Sequence, residues 1–356
     1  MGQSDDFVQT LSLYRDQLWP VIDSYLDTAV SFPDFCRLDP QYQDITSFHR
    51  QLIRDYPERK GKYLRPTLLL LAAQSMGIDL DSCLLPAAAM QLSEDWILVH
   101  DDVEDDSLER RGQPTLHRLC SKELAVNAGD CLQTIMWRIL FDHLQKNPTT
   151  GSQIIDEFSL LLNRTTLGQT IDIKWNQDQI LDLSDEDIFL ILESKTCYYT
   201  IAGPLRLGAI LAKASDSQLR LLYEFGLYLG RTFQIVDDLL DLTSDFSGLK
   251  KQQYNDIYEG KRTIMLAHLW RQSSTSDKKL ISQIMTKTRD QKTPDDIAKI
   301  IELMNTYGSL DYGRQLAQEF GQKSLEIFDT QLTFLSQEPY RSQIRAGINF
   351  IINRQH

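Results

Sequence analysis

In stretch after stretch of this chain, apolar residues recur at steps of three and four. LRPTLLLLAAQSMG (64–77), AAAMQLSEDWILVHDD (87–102), LQTIMWRILFDHLQ (132–145), FSLLLNRTTLGQTIDI (158–173) and LRLLYEFGLYLGRTFQIVDDLLDL (219–242) carry the pattern, as does YGSLDYGRQLA from 307. That period is the signature of α-helices, and the alternation that marks strands is nearly absent. Helix ends are expected at KNPTTGS (146–152), DLSDED (182–187), SDFSG (244–248) and QSSTSDKK (272–279). In LSDED, Ser184 is placed to cap a helix with Asp187 three residues on. No Gly/Ser- or Pro-rich linker divides the chain, and no fixed-period repeat runs through it. The expectation is one all-α domain over residues 1–356, of ten or more helices, with residues 1–10 disordered.

The chain has 356 residues, 42% of them apolar, enough for a large core. A net charge of −13 argues against sequence-independent nucleic-acid binding, which needs a basic surface. It leaves room for an anionic substrate, because metal ions can bridge acid to acid. Cys36, Cys83, Cys120, Cys131 and Cys197 are odd in number and form no CxxC pair, which suits a reducing compartment and buried, inert thiols. MGQSDDF lacks the regions of a signal peptide, and LLLLAA (68–73) is far too short to span a bilayer. A cytoplasmic protein with no transmembrane segment is expected.

Two segments share one acidic pattern. Asp101, Asp102 and Asp105 end one apolar stretch; Asp237, Asp238 and Asp241 end another. On a helix, residues i and i+4 share a face and i+1 lies about 100° round. Asp101 and Asp105 are therefore placed to reach one ion, with Asp102 turned aside. Like charges at this spacing repel, a cost that a solvated face need not carry twice in the same form. Hard carboxylate oxygens without His or Cys favour Mg²⁺, which keeps several waters and is commonly shared with phosphates. Arg110 and Arg111 follow closely, and Arg is the planar donor suited to diphosphate oxygens.

With these residues assembled, the sequence resembles the trans-isoprenyl diphosphate synthases, which elongate prenyl chains. DDVEDDSLERRGQPTLH (101–117) resembles their first aspartate-rich motif and FQIVDDLLD (233–241) their second. GKYLRP (61–66), GQTIDIKW (168–175), SKTCYYT (194–200) and NDIYEGKRT (255–263) also match, in order, from about residue 45 onward. The resemblance implies a helical barrel around a central cavity. It implies a Mg²⁺-dependent prenyltransferase that condenses an allylic diphosphate with isopentenyl diphosphate, with three ions bound alongside substrate, and usually a homodimer.

The resemblance also assigns roles. Asp101, Asp105 and Asp237 would bind Mg²⁺ directly, with Asp102, Asp238 and Asp241 in support. Asp101, Asp102, Asp105, Asp237 and Asp241 make up the expected metal set. Arg110, Lys195 and Lys251 would hold the allylic diphosphate, and Lys62, Arg65 and Arg111 the isopentenyl diphosphate. Thr196 and Gln234, with Lys195, would stand at the reacting carbons. Lys261 would close the second acidic site, with Asp256 close by. His100 and His117 are expected to be structural, since Mg²⁺ prefers oxygen.

The chain also departs from the family. Glu94, followed by Asp95, stands where the family commonly has His or Gln beside isopentenyl diphosphate. It would orient Lys62 or Arg65, or else weaken isopentenyl binding. Tyr63 replaces a usual basic residue and Lys60 a usual Gly. Trp96, with Ser93 and Ile97 beside it, is expected to set chain length, since Trp96 lies about 7.5 Å down the helix axis from Asp101. Ile97 is not aromatic and the first motif has no insertion, a combination that resembles geranylgeranyl diphosphate synthases, with farnesyl diphosphate the next candidate. A class I terpene cyclase and a non-catalytic partner subunit of another synthase are the rival readings. DDLLD, Lys62 and Arg65 speak against the first, and the intact acidic motifs against the second.

Overall fold

The computed structural model of the chain describes residues 3–243 and 253–353. The helices are α1 (Gln3–Thr28), α2 (Gln43–Glu58), α3 (Leu64–Ser75), α4 (Leu80–Glu104), α5 (Leu116–Leu119), α6 (Lys122–Lys146), α7 (Pro148–Gln177) and α8 (Asp185–Leu192). A π-helical segment, Glu193–Ala202, leads into α9 (Gly203–Leu211) and α10 (Asp216–Thr243). Then come α11 (Asn255–Glu259), α12 (Ile264–Gln272), α13 (Thr275–Met285), α14 (Pro294–Thr306), α15 (Ser309–Thr330) and α16 (Tyr340–Ile352). Among the described residues the only strands are β1 (Glu109–Arg110) and β2 (Gln113–Pro114), paired as one antiparallel hairpin.

The helix boundaries follow side-chain chemistry. Ser184 and Asp187 form a reciprocal capping box at the start of α8, as their spacing suggested. Asp79 caps α4 by accepting from Ser82 N–H at 2.9 Å. α6 stops at Lys146, inside KNPTTGS, but α7 begins at once with Pro148. Proline is well suited to a first helical position, where no N–H is needed. SDFSG lies outside the described residues. Residues 3–10, expected to be disordered, are the first turns of α1, whose Phe7 is fully buried. Of the cysteines, Cys83 and Cys197 are buried as expected, but Cys36 is exposed in a short 3₁₀ turn of a surface loop.

The described chain packs as two compact units. One draws on Met1–Glu157, Leu207–Ala214 and Ser336–Gln343, the other on Phe158–Arg206, Ser215–Leu335 and Ile344–His356. At the centre of the first, α4 packs against α1, α3 and α6. Its residues Pro86–Trp96 are buried all round, which explains why its apolar pattern is continuous and not one-faced. In the second unit α10 packs against α15 and the π-helical segment, around Ile235, Leu239, Ile264, Met265 and Phe320. Each fully buried side chain of this kind contributes about 1.5–3 kcal/mol.

Candidate active site

Both aspartate motifs end long helices, where the backbone dipole is negative. α4 ends at Glu104 and α10 at Thr243, and neither has a basic residue in its last turn. Acids in that position oppose the dipole, the reverse of what stability alone would favour.

In the first unit, Asp101 and Asp105 sit one turn apart, with Asp105 N–H donating to Asp101 O at 2.9 Å. Asp106 then turns left-handed (φ 51°) and Ser107 N–H reaches back to Asp102 O at 3.0 Å, a Schellman closure with Asp in the place usually held by Gly. Asp102 itself is fully buried. Tyr56 Oη donates to its Oδ2 at 2.5 Å, and Arg110 Nε donates to both its oxygens at 3.0 and 3.1 Å. Asp101 stands 3.7 Å from Arg110. Burial alone would lower the Arg110 pKa; Asp102 and Asp101 outweigh it and raise it.

The hairpin that carries Arg110 is built from the RRG sequence. Arg111 (φ 56°) and Gly112 (φ 75°) form a two-residue loop with both φ positive, as a type I′ turn demands. Arg59, at the end of α2, holds the hairpin by donating to Arg110 O at 3.1 Å and Pro114 O at 2.8 Å. Sequence reasoning missed Arg59 and Tyr56. Their signal in the sequence is position, Tyr56 on the apolar side of α2 and Arg59 just past its end, directly upstream of GKYLRP.

Arg111 turns the other way and passes so close to Gly61 that a Cβ there would lie 2.7 Å from its Nη2. Its Nη1 donates to Tyr56 O at 2.9 Å and to Asp95 Oδ1 at 3.0 Å. Glu94 lies between two of the three expected isopentenyl cations, 3.2 Å from Arg65 and 3.6 Å from Arg111. Burial pushes the Asp95 carboxyl up to about 6, with Arg111 opposing and Glu94 adding. Lys62 is exposed, whereas Tyr63 is buried. The two unusual residues of this loop, Lys60 (φ 48°) and Tyr63 (φ 59°), are both left-handed. A glycine would adopt that geometry freely at position 60.

Below the first motif, Trp96 is 6% exposed and meets His100 edge-on, ring centroids 5.6 Å apart. His100 Nε2 is 3.2 Å from Val126 O on α6, over Gly129. Ser93 is buried and bonds to Met90 O, and Ile97 is half-buried. His117 is buried, and burial lowers its pKa.

In the second unit the π-helical segment presents Lys195 to Asp172 at 3.1 Å and Thr196 Oγ1 to Gln234 Oε1 at 3.1 Å. Gln234 in turn donates to Asp238 at 2.8 Å. Three glycines make room for the widened backbone. A Cβ at Gly168 would lie 2.6 Å from Lys195 N, one at Gly230 2.5 Å from Cys197 Cα, and one at Gly226 2.4 Å from Ala202 Cβ. Asp241 accepts from the N–H groups of Asn255 and Asp256, both at 3.1 Å, and so caps α11. Lys261, just past α11, lies 2.9 Å from Glu259 and 3.3 Å from Asp256. Lys251 lies outside the described residues.

The donor set fits Mg²⁺. The side chains at both motifs are carboxylates, with no thiol or imidazole among them. Asp238 is driven well above the usual carboxylate range by burial and by the charges of Asp256 and Asp237, with Gln234 opposing, a crowding that a cation relieves. Among the described residues no three His, Cys, Asp or Glu side chains form a group that could hold a metal ion alone. Mg²⁺ does not ask for one, since it takes one or two carboxylates and completes its shell with water and phosphate.

A helical scaffold with an aspartate triplet ending each of two long helices defines an isoprenoid synthase-type protein. The chain belongs to the polyprenyl synthetase family, whose sequence pattern matches residues 47–304. It is an isoprenyl diphosphate synthase, a prenyltransferase. It is 31% identical over 267 residues to the geranylgeranyl diphosphate synthase of Sulfolobus acidocaldarius, covering 75% of this chain and 79% of that one. It is 29% identical over 300 residues to the short chain isoprenyl diphosphate synthase of Methanothermobacter thermautotrophicus, covering 83% and 87%. The fold is that of the Corynebacterium glutamicum geranylgeranyl pyrophosphate synthase, solved with isoprenyl diphosphate and magnesium: TM-score 0.85, 24% identity, 96% and 99% coverage. No helix among the described residues is long and apolar enough to cross a membrane.

Proposed function

We propose that this chain is a Mg²⁺-dependent synthase that adds isopentenyl diphosphate to an allylic diphosphate and makes geranylgeranyl diphosphate. The observation that carries the reading is the pair of aspartate triplets at helix C-termini, where the backbone dipole disfavours them. Asp101, Asp105 and Asp237 take the metal. Asp102 and Asp241 act behind them, the first fixing Arg110 and the second fixing α11. Bound Mg²⁺, three ions in all, supplies positive charge to the leaving diphosphate.

This chain's own residues do the rest. Arg110, Lys195 and Lys251 hold the allylic diphosphate and stabilise the charge that grows on it as its C–O bond breaks, and Lys261 closes the second acidic site. The alkene of isopentenyl diphosphate, held by Lys62, Arg65 and Arg111, attacks the allylic cation. Thr196 and Gln234 line the reacting carbons. The proton then lost goes to the departing diphosphate, so no side-chain nucleophile is needed. Trp96, with Ser93 and Ile97, closes the chain-length end. Farnesyl diphosphate is the alternative product.

The chain works as one synthase domain, in a cytoplasmic homodimer. Free cysteines suit the compartment, and exposed Leu124, Val126 and Phe141 on α6 suit a partner copy. The test is a product assay with Mg²⁺, labelled isopentenyl diphosphate and dimethylallyl, geranyl or farnesyl diphosphate in turn. Geranylgeranyl product supports the reading, and a stop at farnesyl corrects the length alone. Diphosphate release without elongation would favour a cyclase, and no turnover a partner subunit.

A further inference from the structure

We propose that Arg231 is a positioning residue: with Glu193 it fixes the register of the π-helical turn, and so the direction in which Lys195 and Thr196 face. The inference rests on the function proposed above and extends it to two residues so far without a role.

A π-helical run is costly and usually short, yet here it covers Glu193–Ala202. Its register matters, because shifting a helical backbone by one residue turns each following side chain by about 100°. Lys195 would then lose Asp172, and Thr196 would lose Gln234. Gly168, Gly226 and Gly230 leave room for the wide turn, but room does not choose a register. An anchor at its first residue does.

Glu193 is that first residue, and it is ion-paired to Arg231 of α10. The pair is not a loose surface contact, since its side chains are only 19% and 20% exposed. The Arg231 guanidinium carbon lies 4.5 Å from the Phe189 ring centroid, 5.1 Å from that of Phe320 and 5.9 Å from that of Tyr228. A cation held among three rings and joined to a half-buried carboxylate resists displacement. Gln234 lies one turn further along α10, on the same side as Arg231. One helix face therefore supplies the anchor, the partner of Thr196 and, through Gln234, the link to Asp238.

The test uses the full chain with Mg²⁺, isopentenyl diphosphate and the allylic primer that the wild type prefers. Arg231→Met and Glu193→Gln are expected to lower kcat by about tenfold or more, with isopentenyl KM within about twofold. Arg231→Lys, which keeps the charge, is expected to recover most of the loss even if Arg231→Met folds poorly. The decisive arm is a double-mutant cycle with Thr196→Val. If Arg231 acts through this turn, the loss in Arg231→Met shrinks once Thr196 is gone, and the share carried by Lys195 remains. Two losses that simply multiply would overturn the inference, as would wild-type kcat in Arg231→Met and Glu193→Gln. A wild type that elongates no primer would overturn the proposed function itself, a result distinct because it involves no variant.

Discussion

Arg110 closes on both carboxylate oxygens of Asp102, the middle acid of the first motif, while Tyr56 holds Oδ2 from the other side. Asp102 and its neighbour Asp101 therefore have different work. Asp102→Ala leaves a half-buried guanidinium without its bidentate partner and is expected to cost about 3 kcal/mol of stability. Asp101→Asn is expected to leave stability nearly unchanged and to raise the Mg²⁺ needed for half-maximal rate. Denaturant unfolding of the two variants beside a Mg²⁺ titration checks both. Equal stability losses would remove the distinction.

Glu94 bridges toward Arg65 and Arg111 and cancels part of their charge, which the proposed isopentenyl diphosphate would otherwise meet in full. Glu94→Gln keeps the shape and removes the counter-charge. The isopentenyl KM is expected to fall by about tenfold, equivalent to ~1.4 kcal/mol, with little change in allylic KM. Steady-state kinetics in both substrates would show it. An unchanged isopentenyl KM would mean that Glu94 does not compete for these cations.

The buried Asp95 gives stability a pH signature. Its carboxyl is raised by burial from 3.8 to about 6, so across that window the folded chain keeps a proton that the unfolded chain has lost. Stability from this group therefore falls as pH rises through the window, and the penalty is complete above it. Asp95→Asn lacks the effect. The melting temperature of the variant is expected to gain on that of the wild type between about pH 4 and 7. A difference independent of pH would contradict the assignment.

Much of this molecule was legible in its sequence. The three-and-four spacing located the helices, and Ser184 with Asp187 marked the start of α8, because capping is a local matter. The π-helical turn was not legible. SKTCYYT has no period of its own, and the turn rests on glycines at 168, 226 and 230, distant in sequence. The same holds for Tyr56 and Arg59, whose roles appear only when α2 meets the hairpin. The acids of both motifs were found by their pattern. That Asp102 and Asp241 spend their oxygens on protein donors depends on contacts that no spacing reveals.

Trp96 is the test of product length. Trp96→Ala removes a buried ring beside His100, at a cost of about 3–5 kcal/mol, and opens the space that it fills. Product chains are expected to lengthen relative to wild type when the extracted alcohols are sized. An unaltered distribution would leave Trp96 as core packing alone.

The proposed work of the crowded aspartates is to hold Mg²⁺ and a diphosphate together. It is tested most directly by thermal unfolding of the wild type and of Asp101→Asn, with Mg²⁺ alone, inorganic diphosphate alone, and both together. The expected result is a clear rise in melting temperature only with both ligands, largely lost in Asp101→Asn. No shift with both ligands, or the same shift in the variant, would contradict it.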